Sequence, residues 1–312
     1  MKALINKTYI EGYLYEHNLE LKVSGPNSKT PGTPFIAGTV SIATDEDRTN
    51  VVPVHFSYVT STTSKGTANA TFTILKNIID GVLQSHMGHG ADKAVKLRID
   101  SALGLNEFYT DRNGTEELVS AKRNEGGFVH TTDTLKEDNG VVRNYFECDM
   151  VITNCRRIEA DEEKGLPEKM ILKGGVFDFR KALLPVEFTV VHPKAMDYFE
   201  SQGISQNSPM FTKVWGKQIS ETVVKKTVQE SAFGDPVVNE TKSTRRDWVI
   251  TGANPEAYTW DDESTMTKEE FTKVIADREV FLADLKRRND EYKASKGAAP
   301  EKANNANTGF NF

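Results

Sequence analysis

Residues 208 to 217 read SPMFTKVWGK. In an extended chain successive side chains alternate, so Phe211, Lys213, Trp215 and Lys217 share one face. Flat rings interleaved with ammonium groups are the chemistry that stacks nucleobases and neutralises phosphates. The same alternation suits a small barrel that buries Trp215 and lets the lysines reach solvent along its edge. Both readings of Trp215, groove and core, stand on the strand alone, and the elements around it must separate them.

Other reactive side chains are thinly spread. Cys148 and Cys155 lie seven residues apart, on opposite faces of a continuous strand, and neither has a second Cys or His at ligand spacing, which argues for two reduced thiols without a disulfide or zinc site. His86-Met87-Gly88-His89-Gly90 has Asp92 as its one neighbouring carboxylate and reads as a turn. Gly174-Gly175 is not followed by the Lys-Ser/Thr of a phosphate loop. No Ser, His and Asp set or nucleophile elbow is visible. The sequence therefore predicts a non-enzyme with no cofactor and no metal.

Composition narrows the class. The 312 residues are 38% hydrophobic and 27% charged, without a run of roughly 18 apolar residues that would span a bilayer. No apolar segment follows Lys2, so no signal peptide is read, and a cytoplasmic protein is expected. The formal charge of -6 excludes a histone-like polycation, so any binding of nucleic acid must come from a local groove.

An internal repeat organises the chain. VVPVHFSYV at 51 to 59 matches LLPVEFTVV at 183 to 191, an offset of 132. Upstream, Tyr9-Ile10-Glu11 answers to Tyr145-Phe146-Glu147, and Ile36 to Val40 answers to Leu172 to Val176, both at an offset of 136. One loop shortened by four residues accounts for the change. In each copy the patterning predicts three strands, a helix and two strands: 8–23, 34–44, 51–59, helix 71–81, 94–103 and 117–130, then 144–158, 169–179, 183–191, helix 193–202, 209–219 and 246–252.

That order resembles the tandem OB-fold single-stranded DNA-binding proteins of phage type. The resemblance implies an all-β fold with minor α: two five-stranded barrels, 1–140 and 141–260, then an amphipathic helix at 261–293 and a disordered tail at 294–312. OB-folds bind their strand across the second and third strands and between two loops. Carried over, this implies a nucleic-acid face with Lys173, Phe177, Phe179, Arg180 and Lys181 on the second-strand side of the second copy. Lys213, Trp215 and Lys217 fall on its fourth strand, beside a hairpin with Lys225, Lys226, Lys242, Arg245 and Arg246. Aligning Val214 with Leu97 adds Lys96 and Arg98 from the first copy. The implied partner is single-stranded DNA, bound without sequence preference in replication or recombination in a host cytoplasm. A β-rich structural or virion assembly protein is the alternative.

Beyond the barrels, Thr267 and Glu270 form a capping box, and Phe271, Val274, Ile275, Phe281, Leu282 and Leu285 make a helical stripe expected to pack on the second barrel. The tail lacks periodicity until Phe310-Asn311-Phe312. Single-stranded DNA-binding proteins end in a disordered tail that recruits partners, so the resemblance implies Phe310 and Phe312 as the contact for a replication or recombination protein. No membrane association is expected.

Overall fold

The computed structural model describes residues 4–112, 114–137, 142–161, 167–229, 237–261 and 265–297, with side chains described outside 221–244 and 296–297. In chain order the first repeat supplies β1 (Asn6–His17), β2 (Glu20–Val23), β3 (Pro34–Ala43), β4 (Val51–Thr60), α1 (Ala70–Ile79), the single turn α2 (His86–His89), β5 (Lys96–Arg112) and β6 (Thr115–Thr131). The second supplies β7 (Asn144–Ile158), β8 (Lys169–Phe177), β9 (Leu183–Val190), α3 (Pro193–Ser201), β10 (Met210–Gln229) and β11 (Val237–Ala253), and α4 (Lys268–Gly297) follows.

Each repeat closes on itself. β1 pairs antiparallel with β3, β3 with β4, β5 with β6 and β5 with β1, while β4 and β6 run parallel at Val54 and Asn124. The second copy repeats this ring, with β9 and β11 parallel at Thr189 and Val249. A three-strand meander closed by a fifth strand parallel to the third is the OB-fold, and the molecule is all-β with minor α. The expected first strand, 8–23, is in fact two: β1 ends at His17 and β2 pairs separately with β3 as a short edge.

Alternation places the cores. Ile10, Leu14, Val40, Val54, Leu97 and Ile99 fill the first barrel, with Leu75 and Ile78 of α1 as its plug. Asn69 caps that helix by accepting a hydrogen bond from the Thr71 N–H at 3.1 Å. In the second barrel Phe146, Met150, Leu172, Phe188, Val214 and Trp248 are buried, and Met196 and Phe199 of α3 plug it. Leu103 of β5 also enters this second core, because β5 and β6 continue past their own barrel. Cys148 is buried and Cys155 half-buried, both as free thiols.

The barrels join through one sheet. β1 pairs antiparallel with β7, and Tyr9 faces Tyr145 across the seam. These two tyrosines are each other's counterparts in the repeat, so a local two-fold axis passes between them. Away from the axis the halves differ. The repeat offset falls from 136 (Val40 to Val176) to 132 (Val51 to Leu183), so the second copy has the shorter connection between its second and third strands. In the first copy the longer connection reaches β10: Asn50 Nδ2 donates to the Gln218 carbonyl at 3.1 Å, and the Ser220 N–H donates to Asn50 Oδ1 at 2.6 Å. Glu46 on the same connection binds Arg143 at 2.6 Å. The corresponding turn of the second copy, 178–182, bonds mainly to itself, with Asp178 Oδ1 accepting from the Arg180 and Ala182 N–H groups at 2.8 Å each.

Helix α4 begins on the second barrel and ends on the first. The Thr267 and Glu270 capping box forms as the sequence predicts, with both bonds at 3.0 Å. Phe271 and Val274 pack with Met266, Phe177 and Phe211, but thirty residues at 1.5 Å each carry the helix about 45 Å. Its later turns lie along the β5–β6 hairpin, where Arg278 binds Glu107 and Lys286 and Lys293 bind Glu116 at 2.5 and 2.7 Å. α4 thus packs on the second barrel through its first turns, as expected, and its later turns add a contact with the first-copy hairpin that the sequence did not indicate. Ile275 and Phe281, read as part of its buried stripe, are exposed, because the hairpin offers carboxylates in place of an apolar groove.

Those lysines hold the Glu116 carboxyl down at about 2, from an ordinary value of 4.5. A depressed folded value means the contact contributes fully above pH 4.5 and is lost as pH falls from there through 2. Carbon-13 titration of Glu116 is expected to show this low midpoint, and Lys286→Ala should move it back toward 4.5. Among the described residues, no helix is long and apolar enough to cross a membrane.

Candidate nucleic-acid interface

On β10 the interior face is Met210, Thr212, Val214, Gly216 and Gln218, all buried. Lys213, Trp215 and Lys217 stand outside the barrel, half-exposed. Trp215 is thus an outer-face residue, and the tryptophan in the core is Trp248. The Trp215 indole lies over Gly252, where a Cβ would come within 2.4 Å of the ring, so only glycine leaves room beneath it. Phe211 shares this face but is covered by Tyr258 and Trp260, at ring distances of 4.9 and 5.4 Å. Lys213 Nζ sits 3.6 Å from Glu147 and 6.0 Å from the Trp215 ring centre.

The seam extends this face across both barrels. Pairing aligns Phe128 of β6, Asp100 of β5, Tyr9 of β1, Tyr145 of β7 and Lys217 of β10 in one transverse row. At about 4.8 Å between strands the row spans roughly 19 Å. A second row holds Lys7, Glu147, Trp215 and Gly252. Lys96 and Arg98 of the first copy, paired with Tyr13 and Glu11, and Lys213, Trp215 and Lys217 of the second therefore belong to one continuous surface. Burial and the neighbouring Glu11 raise the Tyr9 phenol, and burial with Glu147 raises that of Tyr145, so both stay neutral at physiological pH.

Beside the seam, where the second copy's short turn stops, a cleft of about 1490 Å³ opens between the barrels. Phe128 and Phe179 line it and are 71% and 88% exposed, uncommon values for phenylalanine. Arg180 lies 5.0 Å over the Phe179 ring, and Lys136 covers the Tyr9 ring at 4.0 Å. Among the described residues the lining carries four cations, Lys7, Arg123, Lys136 and Arg180, and four carboxylates, Asp100, Glu125, Glu147 and Asp178.

The residues expected from the sequence are dispersed by this geometry. Phe179 and Arg180 lie at the cleft, with Lys181 beside them in a left-handed turn conformation at φ 66°. Phe177 does not present its ring: it is 1% exposed and packs against Phe211 and Met266, because the start of α4 covers that side of β8. A base cannot stack on it. Lys173 pairs with Glu187 at 2.6 Å away from the cleft, Lys96 donates to the Asp133 carbonyl at 3.0 Å, and Arg98 lies 3.4 Å from Asp100. Arg245 pairs with Asp247 at 2.8 Å, and Arg246 beside it is exposed. Lys225 and Lys226 face Thr241 and Glu240 in the β10–β11 ladder, but their side chains, like Phe310 and Phe312, lie outside the described residues. The sequence reading missed Tyr9, Tyr145, Phe128, Lys7 and Lys136. The two tyrosines were marked by the repeat itself; nothing local marked Phe128.

The profile of the YorF family matches residues 5–288. The chain belongs to the YorF family. No curated protein matches this YorF-family sequence. Among solved structures, the wild-type single-stranded DNA binding protein from Thermus aquaticus is similar at a TM-score of 0.45 and 10% identity, covering 84% of this chain and 97% of that one. A deletion mutant of the same protein gives 0.44 and 9%, covering 84% and 100%.

Replacing Gly252 of the YorF-family chain with alanine is expected to lift the Trp215 indole off the sheet. The shift is read as a red-shifted fluorescence component that is missing when Trp215→Phe is added.

Proposed function

We propose that this protein binds single-stranded nucleic acid in the cleft between its barrels, as a binding protein without catalytic chemistry. The observation that carries the reading is the pair of exposed phenylalanines, Phe128 and Phe179, on two walls of one cleft that also holds cations. Water disfavours such rings, and the π-face of every base is a partner for them. The outer sheet face with Trp215, Lys213 and Lys217 continues the path, and Lys96 and Arg98 border it on the other side. At the position related to this cleft by the local axis, the longer connection of the first copy lies on β10 through Asn50 and on Arg143 through Glu46. This asymmetry supports one strand segment per chain. The finer reading, protection of single-stranded DNA during phage replication or recombination, with the tail residues Phe310 and Phe312 recruiting a partner, rests on the sequence resemblance alone.

Anisotropy titration of labelled 20-nucleotide single strands, with the matching duplex and RNA, at two salt concentrations tests this. The expected result is saturation at one strand per chain, with the duplex much weaker because its base faces are stacked away. Equal affinity for duplex and single strand would overturn the proposal.

A further inference from the structure

Single-strand binding by itself leaves open whether the cleft treats all bases alike. Among the described residues the cleft lining is charge-balanced, with four cations against four carboxylates, so its carboxylates repel a phosphate about as much as its cations attract one. Bases then enter and phosphates stay at the rim. Two carboxylates stand beside the aromatic residues. Asp100 is the strand neighbour of both Phe128 and Tyr9, and Glu147 stands on β7 two residues from Tyr145 and opposite Trp215.

Neither carboxylate is saturated. Asp100 engages Arg98 at 3.4 Å and His130 at 3.6 Å, both through Oδ2. Glu147 takes the Tyr145 hydroxyl at 3.3 Å and Lys213 at 3.6 Å, both through Oε2. These are long for charge-assisted bonds, which form at about 2.7 to 2.9 Å. Among the described residues, Asp100 Oδ1 and Glu147 Oε1 have no protein partner. The side chains are 42% and 24% exposed, reachable by a ligand in the cleft.

We infer that Asp100 and Glu147 read the edges of bases stacked in the cleft, and that the site favours cytosine, adenine and guanine over thymine and uracil. This rests on the single-strand reading above. An ionised carboxylate only accepts hydrogen bonds. Cytosine, adenine and guanine each offer an exocyclic amino group. Thymine and uracil carry none; their one ring N–H lies between two carbonyl oxygens, which meet the carboxylate as acceptor against acceptor. Stacking on Phe128 or Phe179 is available to every base, so discrimination comes from the carboxylates.

The test is anisotropy titration of the full chain with labelled dC15 and dT15, repeated with Asp100→Asn, Glu147→Gln and the double variant. The amides keep the shape but add a donor that thymine and uracil carbonyls accept. The readout is the ratio of the two dissociation constants, with circular dichroism as the control for folding. The expected ratio is about tenfold in favour of dC15 for the unmodified chain, on the scale of one base-edge contact, falling toward one in the double variant. Equal or tighter binding of dT15 by the unmodified chain would overturn the inference and leave single-strand binding standing. A tenfold preference that survives the double variant would also overturn it, since the preference would then arise elsewhere. Failure of every oligomer to bind would remove the single-strand reading itself.

Discussion

Phe128→Ala and Phe179→Ala are each expected to weaken single-strand binding by about 1 to 3 kcal/mol, the range for losing one base-stacking ring. The two residues stand on different elements, β6 and the 178–182 turn, so the double variant should lose close to the sum. Stability should hardly change. Neither ring belongs to a core cluster, and both are mostly in water in the free protein. The turn that carries Phe179 is fixed by the Asp178 caps, which the substitution leaves in place. Dissociation constants by anisotropy and melting temperatures by circular dichroism, measured on the same preparations, check this. A variant that melts normally yet binds as tightly as the unmodified chain would mean that the strand runs elsewhere. Trp215→Ala is the informative companion, because its ring is half-covered by Gly252 and the sheet: a smaller loss of affinity is expected there.

These rings divide what the sequence made legible from what it did not. The ring order of each barrel is carried by local alternation and by the repeat, so β3, β4, β7, β8 and β9 fall close to where patterning puts them. β10 and β11 run well beyond the expected 209–219 and 246–252, since their ladder continues from Glu221 and Arg245 to Gln229 and Val237 where the patterning predicts no strand. The register of Trp215 was legible from alternation, but its side of the wall was not, since Met210, Thr212 and Val214 are no more apolar as a set than Phe211 and Trp215. The cleft was the least visible feature. It arises where β1 of one copy pairs with β7 of the other, a contact of 136 residues' separation, and where one turn is shorter than its counterpart. The offset change announced the shorter turn, but only the pairing shows that the missing residues open a space beside Phe128. Phe177 was misjudged for a related reason: its cover comes from α4, about ninety residues later in the chain.

Arg278→Ala is expected to be the most destabilising single change outside the cores, at about 3 to 5 kcal/mol, the scale for leaving one partner of a buried pair alone. Arg278 and Glu107 form a two-pronged contact in which the side chains are 12% and 5% exposed. Without the guanidinium, Glu107 keeps one hydroxyl donor, Ser120 at 2.8 Å, which satisfies a lone pair but does not offset the charge. The damage should be regional. The first turns of α4 stay anchored by Phe271 and Val274, whereas the later turns are held by Lys286, Lys293 and Asn289 on carboxylates that water and salt can replace. Hydrogen exchange is therefore expected to speed up over 279–297 and along the hairpin tip around 110–118, with the barrel strands protected. The double variant Arg278→Met with Glu107→Leu should recover most of the loss, because replacing both partners by apolar groups removes the desolvation cost along with the pair. Single-strand affinity is expected to survive in Arg278→Ala, since neither Arg278 nor Glu107 lines the cleft. A parallel collapse of affinity would instead place the β5–β6 hairpin, held in its position by α4, on the path of the bound strand.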